Sequence, residues 1–140
     1  MIPLAACLLR DRLPEMVALI TERIPEVREW ESGRLEQWLT WYAQRDMLGV
    51  VQRAGHVVGV GTARPVRPGQ EAETYAMDWQ GDTVWIDLAV ATDRSATRDL
   101  WHLLTHRFGT RNYIGYNRAK HGDRVRRQPF APFLARFFRQ

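Results

Sequence analysis

A chain of 140 residues and 16.3 kDa is the size of one domain, and folding buries about 68–70% of the unfolded surface, enough for a core without covalent staples. Apolar residues at 45% and charged residues at 26% exclude disorder, collagen and coiled coil as the overall class. The single cysteine, Cys7, excludes an intrachain disulfide framework and a cysteine-cluster zinc site, and it fits a reducing, cytoplasmic setting.

The net charge of +4 is unevenly placed. Residues 1–93 carry 9 Arg against 14 acids, a net of −5, while residues 94–140 carry 10 Arg and one Lys against 2 acids, a net of +9. That split points to an anionic partner for the second half. A GC-rich genome would also produce it, since 19 of the 20 basic residues are Arg.

In chain order, no stretch reaches the ~20 apolar residues of a membrane span. Met1–Leu9 is apolar but lacks a basic leader and runs into Arg10, Asp11 and Arg12. It reads as an N-terminal strand or packed arm rather than a signal peptide. Pro14 suits the first turn of a helix, and Val17, Leu19, Ile20 and Ile24 follow at helical spacing. A second helical run covers Glu26 to Asp46, with a break expected at Ser32-Gly33 and an apolar stripe of Leu35, Trp38, Leu39, Trp41 and Tyr42.

Gly49–Arg53 and Val57–Ala63 are short β-rich runs joined by Ala54-Gly55, a hairpin signature. Arg64–Glu73, with Pro65, Pro68 and Gly69, reads as a loop. Val84–Ala91 is the clearest strand. Strict alternation sets Val84, Ile86, Leu88 and Val90 on one face and Trp85, Asp87, Ala89 and Ala91 on the other. Both faces are apolar except at Asp87, as expected of a central, doubly covered strand. A helix from Ser95 to Phe108 and a strand over Asn112–Asn117 complete a βαβ crossover. No linker divides the chain, so we expect one α/β (α+β) domain over residues 1–140, a mixed central sheet flanked by helices. Residues 118–140 form a basic tail in which Phe130, Phe133, Leu134, Phe137 and Phe138 recur at helical spacing.

Several residues could carry chemistry. Asp87, a carboxylate within an apolar strand, must find a partner or shift its pKa. It is the candidate general base; pairing with an Arg is the structural alternative. Asp93–Arg98 joins this strand to its helix, where Arg94, Ser95, Thr97 and Arg98 could receive an anion. A self-capped, solvated helix start is the alternative. His102 and His106 lie four apart on the same helix, but no third ligand accompanies them, so no metal site is expected. Trp79, Trp85, Trp101, Tyr113 and Tyr116 interleave with Arg, a pattern compatible with nucleic-acid stacking or with a core.

The order of elements resembles the GNAT (Gcn5-related N-acetyltransferase) fold. Val90–Leu104 (VATDRSATRDLWHLL) falls where that family's R/Q-x-x-G-x-G/A cradle holds the donor's pyrophosphate. Arg94 matches its first position, and Thr97 and Asp99 stand in place of the two glycines. More locally, Asp78–Asp87 (DWQGDTVWID) is similar to the D-W-x-S-G-D-x-x-W-F-I-D signature of the toxin-activating lysine acyltransferases, with one residue fewer before Gly-Asp. The similarity spans about residues 49–118. It implies acyl transfer from acyl-CoA or acyl carrier protein to an amine, with Asp87 in the place of the catalytic aspartate. That family's catalytic His precedes the first helix. The first histidine here is His56, so His56 or His102 would have to substitute.

Three functions follow as expectations: an acyltransferase-like enzyme; a non-catalytic GNAT-like assembly protein, for instance virion-associated in a phage, docking as a homo-oligomer or on a protein partner through its basic aromatic tail; or a nucleic-acid-binding module.

Overall fold

In the computed structural model, which describes residues 4–108, 111–118, 124–130 and 132, one mixed sheet carries three helices. The elements are α1 (Leu4–Arg23), α2 (Arg34–Gln44), β1 (Leu48–Arg53), β2 (His56–Val66), β3 (Thr83–Ala91), α3 (Arg94–Arg107), β4 (Tyr113–Arg118) and β5 (Arg124–Pro129). Short 3-10 turns lie at Pro25–Glu29 and Gln70–Ala72. The strands lie in the order β1-β2-β3-β4-β5. All neighbours are antiparallel except β3 and β4, which run parallel because α3 returns the chain across the sheet. The expected α/β class, mixed sheet and βαβ unit are all present.

Two expectations change at the ends of the chain. The N-terminal segment is not a strand: residues 4–13 already belong to α1, and Pro14 sits inside the helix rather than at its start. Ala5, Ala6, Leu8 and Leu9 are strong helix formers, and Pro14 is exposed, so its ring crowds nothing in the core. At the other end, Arg124–Pro129 is a strand that pairs antiparallel with β4. Phe130 follows it into the core. The amphipathic helix expected over Phe133–Phe138 lies outside the described residues.

The hairpin forms at the expected place. Ala54 and Gly55 both take positive φ (52° and 79°), the twist that joins two antiparallel strands through a two-residue turn. Helices α1 and α2 cover one face of the sheet and α3 the other. A side chain at Gly61 would meet Leu104 Cδ1 at 2.7 Å, and one at Gly49 the same leucine's Cδ2 at 3.1 Å. These two glycines let α3 lie close against the sheet. Met16, Ile20, Leu39 and Val60 fill the opposite layer.

Alternation along β3 does not hold throughout. Thr62 pairs with Leu88, but the next residue of β2, Ala63, pairs with Ile86. Asp87 is therefore an extra residue, a β-bulge, and it reverses the facing of everything beyond it. Trp85 and Asp87 share a face with Leu88 and Val90, while Ala89 and Ala91 lie on the side of Gly61 and α3.

Candidate functional site

Arg64 is the one charged residue in the apolar run of β2, and only 2% of it is exposed. A buried guanidinium needs partners for all its N–H groups, and Arg64 finds them. Nε donates to Asp87 Oδ2 at 2.9 Å and Nη2 to Asp87 Oδ1 at 3.3 Å. Nη1 donates to the carbonyls of Gln70, Glu73 and Ala76, and Nη2 to that of Glu71, at 2.5 to 3.0 Å. One side chain thus ties the β2–β3 loop down and holds the carboxylate on β3.

The Tyr42 hydroxyl, brought in by the buried stripe of α2, donates to Asp87 Oδ2 at 2.6 Å. Burial pushes the Asp87 carboxyl above its ordinary value, and Arg64 and then Tyr42 pull against that rise. Burial, then the charge of Asp87, pushes the Tyr42 hydroxyl far above its usual range. At 16% exposure, the Asp87 side chain still reaches open space.

That space is a cavity of about 350 Å³ between the sheet and α1–α2. Asp87 and Leu88, neighbours in sequence, both line it, which the bulge alone makes possible. Ile20, Ile24 and Leu35 close it from the helices, and Trp30 and Trp38, edge to face at 6.2 Å, wall it. Exposed Arg34, Thr74 and Tyr75 make its rim. Arg34 lies over the Trp30 ring, 5.4 Å from its centroid. Tyr75 holds a left-handed φ of 62° and stacks on Trp41 at 5.0 Å. A non-glycine residue in that conformation is held there by its surroundings, here the loop that Arg64 anchors.

The second geometric feature is the junction of β3 and β4. Their ladder runs from Thr83↔Tyr113 to Ile86↔Tyr116 and stops, although β3 continues to Ala91 and β4 to Arg118. The parallel pair parts at the bulge, beside Asp87.

The other expected site residues lie apart from Asp87. His56 opens β2 just after the hairpin turn, with its side chain 79% exposed, 3.9 Å from Glu15. It is six residues from Thr62 along β2, a span of about 20 Å. His102 is exposed on α3, across the sheet, and stacks on His106 at 5.8 Å. Tyr42 and Arg64, not a histidine, position the carboxylate. The α3 start is capped from within: Asp93 Oδ1 accepts from the Ala96 N–H at 2.8 Å, and the Thr97 hydroxyl donates to the Asp93 carbonyl at 2.9 Å. The Ala96 N–H holds the Asp93 carboxyl below its ordinary range, and Arg53 adds to this. Arg53 also donates to Ser95 Oγ at 3.1 Å and to Asp99 at 2.5 Å. Arg94 and Arg98 are exposed on the same turn.

Sequence reasoning missed Tyr42, Arg64 and the tryptophan walls. The sole charge within VVGVGTARPV was the available signal for Arg64; Tyr42 looked like one more member of an apolar stripe. Among the described residues, no group of three or more His, Cys, Asp or Glu side chains is placed to hold a metal ion, and no helix is long and apolar enough to cross a membrane. No family model, curated protein or solved structure matches the chain.

Proposed function

We propose that this is a GNAT-like domain that transfers an acyl group from a thioester donor to an amine. The observation that carries the reading is the parting of β3 and β4 at the Asp87 bulge, next to a cavity that Asp87 lines. Among the described residues, the β3–β4 ladder ends at Ile86, so β3 from Asp87 to Ala91 has no strand partner on that side. A pantetheine arm, with its two amides, is a ligand that pairs with such an edge as an added strand does. The thioester at its end would then lie beside Asp87.

The chemistry needs one base. An amine in the cavity gives up a proton to the Asp87 carboxylate, and its lone pair attacks the thioester carbonyl carbon. The C–N bond forms, the C–S bond breaks, and the thiolate leaves and takes a proton. A carboxyl raised by burial is a stronger base than a solvated one. Tyr42 and Arg64 are positioning residues for it.

The donor is acyl-CoA or acyl carrier protein. The Asp93 carboxylate occupies amides of the α3 start, and it and Asp99 are paired with Arg53, so a donor phosphate would be met there by side chains such as Arg94 and Arg98 on the exposed side of that turn rather than by open helix amides. The same self-capping favours a second reading, a GNAT-like binding module without transfer. The test is calorimetric titration of the protein with acyl-CoA and with acyl carrier protein. Binding of either donor supports transfer, and absence of heat with both overturns it. Docking through the basic tail, a homo-oligomer, nucleic-acid binding and a cytoplasmic or virion setting stay separate proposals, and none of them rests on this site.

A further inference from the structure

We propose that His102 and His106, exposed on α3, form a two-histidine site for a divalent late-transition-metal ion, zinc or copper(II), with water completing the coordination shell. The site lies across the sheet from Asp87 and needs neither acyl donor nor acceptor, so it stands or falls apart from the proposed transfer.

Helical geometry makes the pair. Side chains four apart on a helix are neighbours on its surface, with Cβ atoms about 5–6 Å apart. Here both residues are exposed, and their rings lie almost parallel, with 9° between planes and 5.8 Å between centroids. A nitrogen-to-zinc distance of about 2.0–2.1 Å sets the centroids of two chelating imidazoles about 4.5–5 Å apart. The rings therefore stand about 1 Å from chelating separation. Small rotations of two exposed side chains supply that change. The helix beneath them is held in place. Leu100 and Leu104 bury its inner side, and Arg107 donates to the Asp46 carbonyl at 2.7 Å. Ligands fixed on a packed helix lose little freedom when the ion arrives.

The neighbours set the number of protein ligands. Asp99 is the only acid of α3 and lies three residues before His102, but it is paired with Arg53 of β1. Arg107, next to His106, is paired with Asp46. Two imidazoles and water remain. Imidazole nitrogens select zinc or copper(II) over magnesium and calcium, which take oxygen ligands. Coordination positions left to water separate this site from a closed structural zinc site, so the ion should exchange freely. The spacing alone gave no reason to expect a metal without a third protein ligand; the parallel, closely spaced rings are what the structure adds.

Untagged protein, stripped with EDTA, is titrated by calorimetry with zinc chloride and with magnesium chloride, while NMR follows the histidine ring protons. Zinc should bind with a Kd below about 0.1 mM. It should move the ring resonances of His102 and His106 together and leave those of His56 in place. Magnesium should give no heat. His102→Ala and His106→Ala should each weaken zinc by at least about tenfold, and His56→Ala should not. Both alanines replace exposed residues on a helix and favour it, so without metal the variants should melt as the unaltered protein does. Zinc in about tenfold excess over its Kd should raise the melting temperature of the unaltered protein and not that of either variant. A zinc Kd above about 0.1 mM, equal binding of zinc and magnesium, unchanged affinity in either variant, or movement of only one of the two ring signals would each overturn the site.

Discussion

Arg64 and Asp87 meet across adjacent strands with Nε 2.9 Å from Oδ2, and the same guanidinium closes on four carbonyls of the loop between β2 and β3. One ion pair therefore fixes both the floor and part of the rim of the cavity. Removing one partner of a buried pair strands the other charge. Arg64→Met should cost about 3–5 kcal/mol in urea denaturation and open residues 67–78 to protease. Adding Asp87→Leu to that variant should restore much of the loss, because a buried apolar pair of similar volume is often as stable as the ion pair. A single-variant loss below about 1 kcal/mol would mean that the pair is weaker than its burial implies.

Tyr42→Phe removes a bond to a charged acceptor and should cost about 1.5–3 kcal/mol with the fold unchanged. It also alters the pH dependence. Asp87 has a raised folded value, so the folded state holds more protons than the unfolded chain above the ordinary 3.8. Its contribution is full below that value and declines as pH rises through the raised one. Tyr42→Phe lifts the folded value further and should carry the decline to higher pH. Thermal melts across the pH range check this, and a decline unchanged in position would contradict it.

Asp93 acts in the opposite sense. Its folded value is depressed, so its contribution is present above the ordinary carboxylate range and is lost as pH falls through the folded value. Asp93→Asn should keep the α3 cap while flattening the acid side of the melting curve. Asp93→Ala should lower the melting temperature at neutral pH as well.

Gly81 sits where β3 begins, and a Cβ there would strike the Val66 backbone. Backbone cannot move aside as a flexible side chain does. Gly81→Ala should therefore destabilise by about 1–3 kcal/mol and loosen the entry into β3, measured by urea midpoint and amide exchange at Thr83 and Val84.

His56→Ala and His102→Ala should leave transfer unchanged. The first is exposed at the start of β2, beside the hairpin turn, and the second is exposed on α3. A loss above about tenfold in either variant would place a histidine in the site after all.

Much of the architecture was legible because periodicity is a local property. The Ala54-Gly55 turn and the β3–α3–β4 crossover follow from side-chain spacing and glycine placement, whereas the helical run expected from Glu26 begins only at Arg34, after Gly33, with a 3-10 turn over Pro25–Glu29 before it. Asp87 stood out for a similar reason, as the lone charge in an apolar strand. Its surroundings were hidden because they come from elsewhere: Arg64 lies 23 residues away and Tyr42 45. The bulge was hidden too. Nothing in VWIDLAVA marks an extra residue, and a single unrecognised insertion moved Asp87 from the side of Ala89 to the side of Leu88. Of the aromatic walls, Trp38 belongs to the apolar stripe expected of α2, since a half-buried cavity lining and a packed stripe share the same helical spacing, and Trp30, outside that stripe, carries no signal in the sequence.

The most direct test is formation of the amide itself. Acyl carrier protein bearing a thioester, or acyl-CoA, is mixed with 2-phenylethylamine and the purified protein, and the product is followed by mass spectrometry. N-acylated amine should accumulate with the unaltered protein and fall by at least about tenfold with Thr74→Trp, which fills the mouth of the cavity from its rim, while His56→Ala and His102→Ala match the unaltered rate. Product at only the uncatalysed rate, from a folded protein that binds both donor and amine, would contradict transfer at Asp87.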